Sequence, residues 1–348
     1  MNISAFLMGA ATAFFTIFAL HILVWRKRRT RFQTIVGCIM AVWAVWCLKD
    51  IVLTFPQMYT PEVLNWIMVI DGWSALTYTV FIAEVVMPGW MNLRRLLLFC
   101  LPFAAFNVAY AIWPTEAVIY AFTAFLWFYA WAVVIVGYVK MRRYLTYIHK
   151  NFSNIDEIDV SWLRPVFLFA IVGQLTWLAI SYYAEVWVDA VYYVFIILMW
   201  CMVLHYSWKF RPITVETTER DTGNKLPSTN TLPEGVLERM MEEQQLYLRP
   251  DLTLMDLAQA IGTNRTYVSN YLSQVLHVTF YDYVNQLRIE RMSIPLMKEH
   301  PEYKLEYVAT KSGFASMSTF RRSFIKITGL TPGQYNNNLT ASPNLILE

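Results

Sequence analysis

Charge is what this 348-residue sequence has least of. Asp, Glu, Lys and Arg make up only 15% of it, against 57% hydrophobic residues, and the mean hydropathy is +0.38. That balance excludes a disordered chain and an ordinary water-soluble globule. Histidine is also scarce, with five in all, and no H-E-x-x-H, G-x-S-x-G or P-loop spacing occurs. The carboxylates inside apolar stretches form no i, i+4 pair, so an intramembrane hydrolase or transferase with a regulatory tail is the weaker reading. The chain reads as a binding protein without enzymatic activity or cofactor. Cys38, Cys47, Cys100 and Cys201 lie in apolar stretches with no C-x-x-C and no His at metal spacing. They are expected to be small buried hydrophobes, forming neither a disulfide framework nor a metal site.

What is present is unevenly distributed. Seven apolar blocks, at 2–25, 32–55, 63–87, 96–113, 117–139, 165–184 and 190–208, are each long enough to cross a hydrocarbon core of about 30 Å as a helix. Lys plus Arg against Asp plus Glu is 15 to 10 over residues 1–211, 2 to 3 over 212–232 and 11 to 11 over 233–338. The positive surplus belongs to the membrane part. The connections after the first, third, fifth and seventh blocks carry the basic residues, among them Arg26, Lys27, Arg28, Arg29, Arg94, Arg95, Arg142, Arg143 and Lys209. The intervening connections carry no Lys or Arg. The positive-inside rule then puts the N-terminus outside and everything after Trp208 in the cytoplasm. Trp25, Trp90 and Trp208 on one side and Trp66, Trp113 and Trp187 on the other fit interfacial belts, although packing roles serve each equally well. Basic residues follow the first apolar block and do not precede it, so that block reads as a retained anchor and not as a signal peptide.

Ionisable residues inside such helices point to function. Lys49, Asp50 and Asp71, with Asn107 at a similar level, lie about 8–12 Å from the outer helix ends at 1.5 Å per residue. Two readings stand for this set: a pocket for an unknown small-molecule or membrane signal, and a Lys49–Asp71 pair that only fixes packing. His21, Glu84 and His205 lie near the inner surface, where snorkelling to water explains them.

Residues 212–232, PITVETTERDTGNKLPSTNTL, lack hydrophobic periodicity and read as a flexible linker with a root-mean-square reach of about 25 Å. From 233 the pattern is helical, and two stretches resemble each other. LAQAIG then NRTYVSNYL spans Leu257 to Leu272; VATKSG then SMSTFRRSF spans Val308 to Phe324. Each reads as a helix, a Gly turn, an N-cap (Asn264 or Ser316) and a second helix, the arrangement of a helix-turn-helix. Phe280, Tyr283, Val284, Leu287 and Ile294 predict a connecting helix over 280–298. Its length of about 28 Å is close to the 34 Å or so between successive major-groove faces. Pro295 is expected to kink or end this helix, and His277 to need a left-handed or altered helix end. Residues 339–348 form a tail.

The runs TLMDLAQAIGTNRTYVSNYLSQVLHVTFYDYV, LRIERM and SGFASMSTFRRSFIKITGLTPGQY closely resemble the AraC/XylS-type DNA-binding domain over about a hundred residues. They include the Phe320–Phe324 spacing and the Thr331, Pro332, Tyr335 ending. The whole arrangement resembles the membrane-integrated members of that family, by architecture only in its N-terminal part. The resemblance implies an all-α protein: a seven-transmembrane-helix sensor domain (1–211), the linker, and a double helix-turn-helix domain (233–338) on the cytoplasmic side of a bacterial inner membrane. It implies base readout by Thr266, Ser269 and Asn270 in the first motif and by Met317, Ser318, Arg321 and Arg322 in the second. Arg265, Lys311 and Lys326 are expected to contact phosphates. The partners implied are double-stranded DNA and the lipid bilayer, with RNA polymerase and a second copy of the chain as further candidates. A transporter-like or receptor-like protein with the helix-turn-helix tail as a secondary output is the runner-up. Residues 303–338 hold five basic residues against one acidic, and 233–259 hold two against six, which assigns the stronger DNA contact to the second motif.

Overall fold

The computed structural model describes residues 3–50, 55–58, 60–183, 186–213 and 235–341. Among them the protein is helical throughout, without a strand, and its only sheet-like pairing is an isolated antiparallel bridge between Phe152 and Thr253. The chain divides into two compact units. All but the first two of the expected linker residues, 214–232, lie outside the described residues.

The first unit holds α1 (Ile3–Leu20), α2 (Arg31–Lys49), α3 (Pro61–Asp71), α4 (Ser74–Val86), α5 (Leu93–Ile112), most of α6 (Glu116–Asn151), α7 (Leu163–Tyr183) and α8 (Val186–Ser207). A π-helical turn, His21–Trp25, continues α1. Helix starts follow local chemistry. Thr30 and Gln33 form a capping box on α2, Thr60 precedes Pro61 at α3, and Asn92 accepts from the Arg95 amide at α5. The expected block 63–87 is two helices meeting at Gly72–Trp73. The block expected to end at 139 runs helically to Asn151, because the basic residues from Lys140 to Lys150 are themselves good helix formers. Among the described residues five helices are long and apolar enough to cross a membrane: Ala5–Trp25, Arg31–Lys49, Pro61–Val86, Leu93–Ile112 and Glu116–Asn151. Leu163–Gly173 and Val191–Ser207 are shorter apolar helices. Leu93, Leu97 and Leu101, at i, i+4 and i+8 on α5, with Leu98 beside them, are all exposed, an outward apolar stripe that water would not tolerate.

Inside this unit, Val69, Phe103, Tyr110 and Phe122 pack with Leu76 and Leu126. Trp43 donates its indole N–H to Thr77 Oγ1 at 3.2 Å and packs against Phe15 and Trp200. Two readings of the sequence need correction, those of the cysteines and of Glu84. Of the four cysteines only Cys47 is buried, whereas Cys38 and Cys201 are exposed. Glu84 does not snorkel: it is 1% exposed, pairs with Arg31 Nε at 3.1 Å and accepts from the Gly89 amide. His21 stacks on Trp208 at 5.4 Å between ring centroids and so has a packing partner.

The second unit contains α9 (Val236–Glu243), α10 (Leu254–Ile261), α11 (Arg265–Asn270), α12 (Phe280–Leu287), α13 (Ile294–Glu299), α14 (Leu305–Lys311), α15 (Met317–Thr328) and α16 (Pro332–Ala341), together with residues 145–159, which join α6 to α7. Two cores form. One gathers Leu237, Met241, Leu257, Val268, Leu272, Phe280 and Val284; the other gathers Ile289, Met297, Val308, Phe314, Phe320 and Phe324. The connecting helix runs from Phe280 to Glu299 without ending. A π-helical turn, Arg288–Ser293, precedes Pro295, which occupies the first turn of α13. The wider turn sits directly ahead of the residue that has no N–H to give.

Both helix-turn-helix turns depend on glycine. Gly262 and Gly313 have φ of +74° and +83°, and a Cβ at Gly313 would lie 2.6 Å from the Leu248 carbonyl oxygen, whereas one at Gly262 meets nothing within 4 Å. Gly262→Ala is therefore expected to cost about 1–2 kcal/mol from the left-handed backbone alone. Gly313→Ala should cost more, because rigid backbone has to move as well. Thermal unfolding of the two variants side by side checks the order.

Candidate nucleic-acid interface

In the first motif, Thr253 and Asp256 form a capping box on α10, and Gly262 closes it with its amide on Ala258 and Gln259 carbonyls. Asn264 Oδ1 then accepts from the Thr266 amide at 2.7 Å to start α11. Val268 and Leu272 face the core, which turns Thr266 and Asn270 outward and leaves Ser269 and Arg265 half-buried. After a π-helical turn, Tyr271–Val275, His277 takes φ +54°, and Val278 donates to the Leu272 carbonyl at 2.9 Å. This is a left-handed helix end made by a residue other than glycine.

In the second motif, Ser316 accepts from the Thr319 amide and begins α15, whose buried side carries Phe320 and Phe324. Ser318 and Arg321 are exposed, and Arg321 makes no hydrogen bond or ion pair among the described residues. Met317 is half-buried against the second core. Arg322 is exposed but engaged: its Nη2 lies 3.3 Å from Thr319 Oγ1 and 3.6 Å from Asp156 Oδ1. Lys326 pairs with Asp282 at 2.6 Å, and Lys311 rests over the Tyr307 ring at 5.6 Å. Of the basic residues expected to meet DNA from α15, one is open and two are held by carboxylates.

Reading the sequence did not single out Arg288, which is 1% exposed. Its guanidinium donates to the carbonyls of Tyr247 and Arg249, both at 2.7 Å, to Asn285 Oδ1 at 3.0 Å, and to Ser153 O and Oγ at 3.3 and 3.2 Å. It also lies 5.5 Å from the Phe314 ring centroid. Desolvation lowers its pKa to about 10, so it stays charged at neutral pH. The signal was its spacing: Phe280, Val284 and Arg288 share one helical stripe, and the first two are apolar. Nearby, burial raises the Tyr281 phenol, an effect that Arg322 opposes and Asp156 reinforces.

Residues 257–338 match the helix-turn-helix domain family. This part of the chain is an AraC-type helix-turn-helix domain. An uncharacterized HTH-type transcriptional regulator of Staphylococcus aureus is 30% identical over 97 residues, 28% of this chain and 13% of that protein. Its counterpart in strain COL is 29% identical over 97 residues, with the same coverage. An uncharacterized response regulatory protein of Staphylococcus epidermidis is 26% identical over 100 residues, 29% of this chain and 39% of that protein. The chain thus spans well under half the length of these relatives. No solved structure matches it significantly. The domain and its relatives support DNA as the partner and a DNA-binding regulator as the class.

In the first unit, three of the four polar residues predicted near the outer surface come together. Lys49 Nζ contacts Asp50 and lies 2.8 Å from Asp71 Oδ1, and the Tyr193 hydroxyl donates to Asp50 Oδ2 at 2.8 Å. Asn107 lies apart, its amide placed to donate to the Phe103 carbonyl and accept from Trp73 Nε1. Asp71 also lines a cavity of about 120 Å³ with Tyr78, Trp127, Trp131, Tyr192 and Phe195, which Lys49, Asp50 and Asn107 do not reach.

Arg288→Met keeps the apolar stem and removes every donor. The buried carbonyl of Tyr247 then loses its donor at about 1–3 kcal/mol, whereas the Arg249 carbonyl keeps the Leu252 amide. Denaturant unfolding of the full chain should show a loss of that order.

Proposed function

We propose that the chain is a membrane-anchored, one-component transcription regulator: the apolar helices form a seven-crossing sensor and the helix-turn-helix domain binds promoter DNA sequence-specifically from the cytoplasmic side. The observation that carries this reading is the pair of helix-turn-helix motifs, each with an exposed second-helix face, joined by one uninterrupted helix in a chain that begins with long lipid-compatible helices. Arg321 and Arg322, with Ser318 and Met317, take the second half-site. Arginine suits bidentate contact with guanine, while methionine only touches a thymine methyl. Thr266, Ser269 and Asn270 take the first, and Asn270 is suited to adenine. Arg265, Lys311 and Lys326 anchor phosphates. The Lys49–Asp50–Asp71 cluster and the neighbouring aromatic cavity are the proposed signal site, because a charge network held in an apolar bundle responds strongly to a ligand that alters its pairing.

Topology follows from the distribution of Lys and Arg. A reporter active only in the cytoplasm should work when fused after Lys209 and fail when fused at Thr115; activity at both positions would overturn the seven-crossing reading.

For DNA readout, promoter fragments bound by the tagged full-length protein supply the target. Arg321→Ala should then cost about 1–3 kcal/mol and relax preference at one base position, as loss of a base-edge contact does. Ser269→Ala should cost less. Equal or reversed losses in quantitative binding assays would transfer the dominant contact to the first motif.

A further inference from the structure

Neither DNA binding nor membrane crossing accounts for the way residues 149–159 pack into the second unit. Phe152 bridges Thr253 at the start of α10, and Ser153, fully buried, donates from its amide and hydroxyl to the Leu252 carbonyl at 3.1 and 2.7 Å. The same serine accepts from Arg288 through its carbonyl and hydroxyl oxygens. His149 meets the Tyr281 ring edge-on at 5.1 Å between centroids. Further along, Asp156 accepts a hydrogen bond from Thr319 Oγ1 and pairs with Arg322, both on α15, and its second carboxylate oxygen is buried without a hydrogen-bond partner.

We infer that residues 149–159 are an intramolecular ligand of the DNA-binding domain. Ser153 is the anchor and Asp156 the blocking group, which occupies Arg322 and must leave before that side chain can reach DNA. This rests on the reading of α15 as a DNA-contacting helix. A guanidinium paired with a carboxylate is not free to grip an acceptor on DNA, and a fixed carboxylate beside that face also repels the incoming backbone. The two contacts differ in strength in a way that suits the role. Ser153 and Arg288 are buried and fully hydrogen-bonded, whereas the Asp156–Arg322 pair is 22% and 57% exposed, an exposure at which ion pairs break readily. The segment is the chain's own connection between α6 and α7, so a shift in the ends of those helices is delivered covalently to Asp156.

The test uses the full-length chain in detergent and a fluorescent duplex of mixed sequence, which needs no knowledge of the operator. Asp156→Asn should raise affinity about three- to tenfold, because Arg322 is released to DNA and a carboxylate that repels the incoming backbone is removed. Asp156→Glu, which keeps the carboxylate beside Arg322, should bind no better than wild type. Helical circular dichroism should be unchanged throughout. Salt-dependent binding of equal affinity in wild type, Asp156→Asn and Asp156→Glu overturns the inference while leaving DNA binding intact. Absence of salt-dependent binding by every form overturns the DNA-binding reading, and this inference with it.

Discussion

A buried guanidinium organises the second unit. Arg288 gives up hydration for acceptors drawn from separate parts of the chain: the turn that carries Tyr247 and Arg249, the segment at Ser153, and Asn285 one turn away on its own helix. These acceptors are carbonyls, an amide and a hydroxyl, so the charge is solvated by neutral dipoles much as water would solvate it. Arginine is the residue that can do this. Its planar fork points donors in several directions at once, which a lysine ammonium on a flexible stem does not reproduce. Because Phe314 lies beside the same guanidinium, the hub also fixes the turn of the second motif, and the two cores are held in register through one side chain.

The two motifs built around that hub are chemically unequal. The first is flanked by the acidic α9 and presents short hydroxyls and an amide on its second helix. The second carries more basic side chains than the first, but Lys326 and Arg322 are held by Asp282 and Asp156. A domain with equal numbers of acidic and basic residues meets a polyanion only if its charges segregate, and here part of the segregation is offset by internal pairing. On the proposed reading, the strength of DNA attraction depends on which internal carboxylates remain in place more than on net charge.

Much of this architecture was legible in the residues. Gly262 and Gly313 mark left-handed turns, Asn264 and Ser316 cap the helices that follow, and the apolar blocks announce long helices by length alone. Other features were hidden for physical reasons. The helical extension of α6 to Asn151 is obscured because basic residues look like an end to the apolar block although they propagate a helix well. Pro295 looks like a break, but a π-helical turn placed just before it absorbs the missing donor. The grouping of Lys49, Asp50 and Asp71 follows from their similar depth, and Asn107 shares that depth without sharing their contacts, since depth says nothing about which way a helix is rotated. Ser153 and Asp156 carry no periodic signal at all. Their partners lie 99 and 163 positions away, and a sequence read without its fold has no means of joining them.

That separation has a consequence for how the protein is made. Ser153 leaves the ribosome 135 residues ahead of Arg288, with α7, α8 and the connecting stretch synthesised in between. The acceptors of Arg288 therefore cannot be completed until an early piece of chain returns across a long closed loop, whose entropy grows only slowly with length but delays contact formation. A truncated copy beginning after the linker starts life without one of the domain's own structural elements. The native DNA-binding unit is in this sense a product of the whole chain, assembled late from two distant stretches of translation.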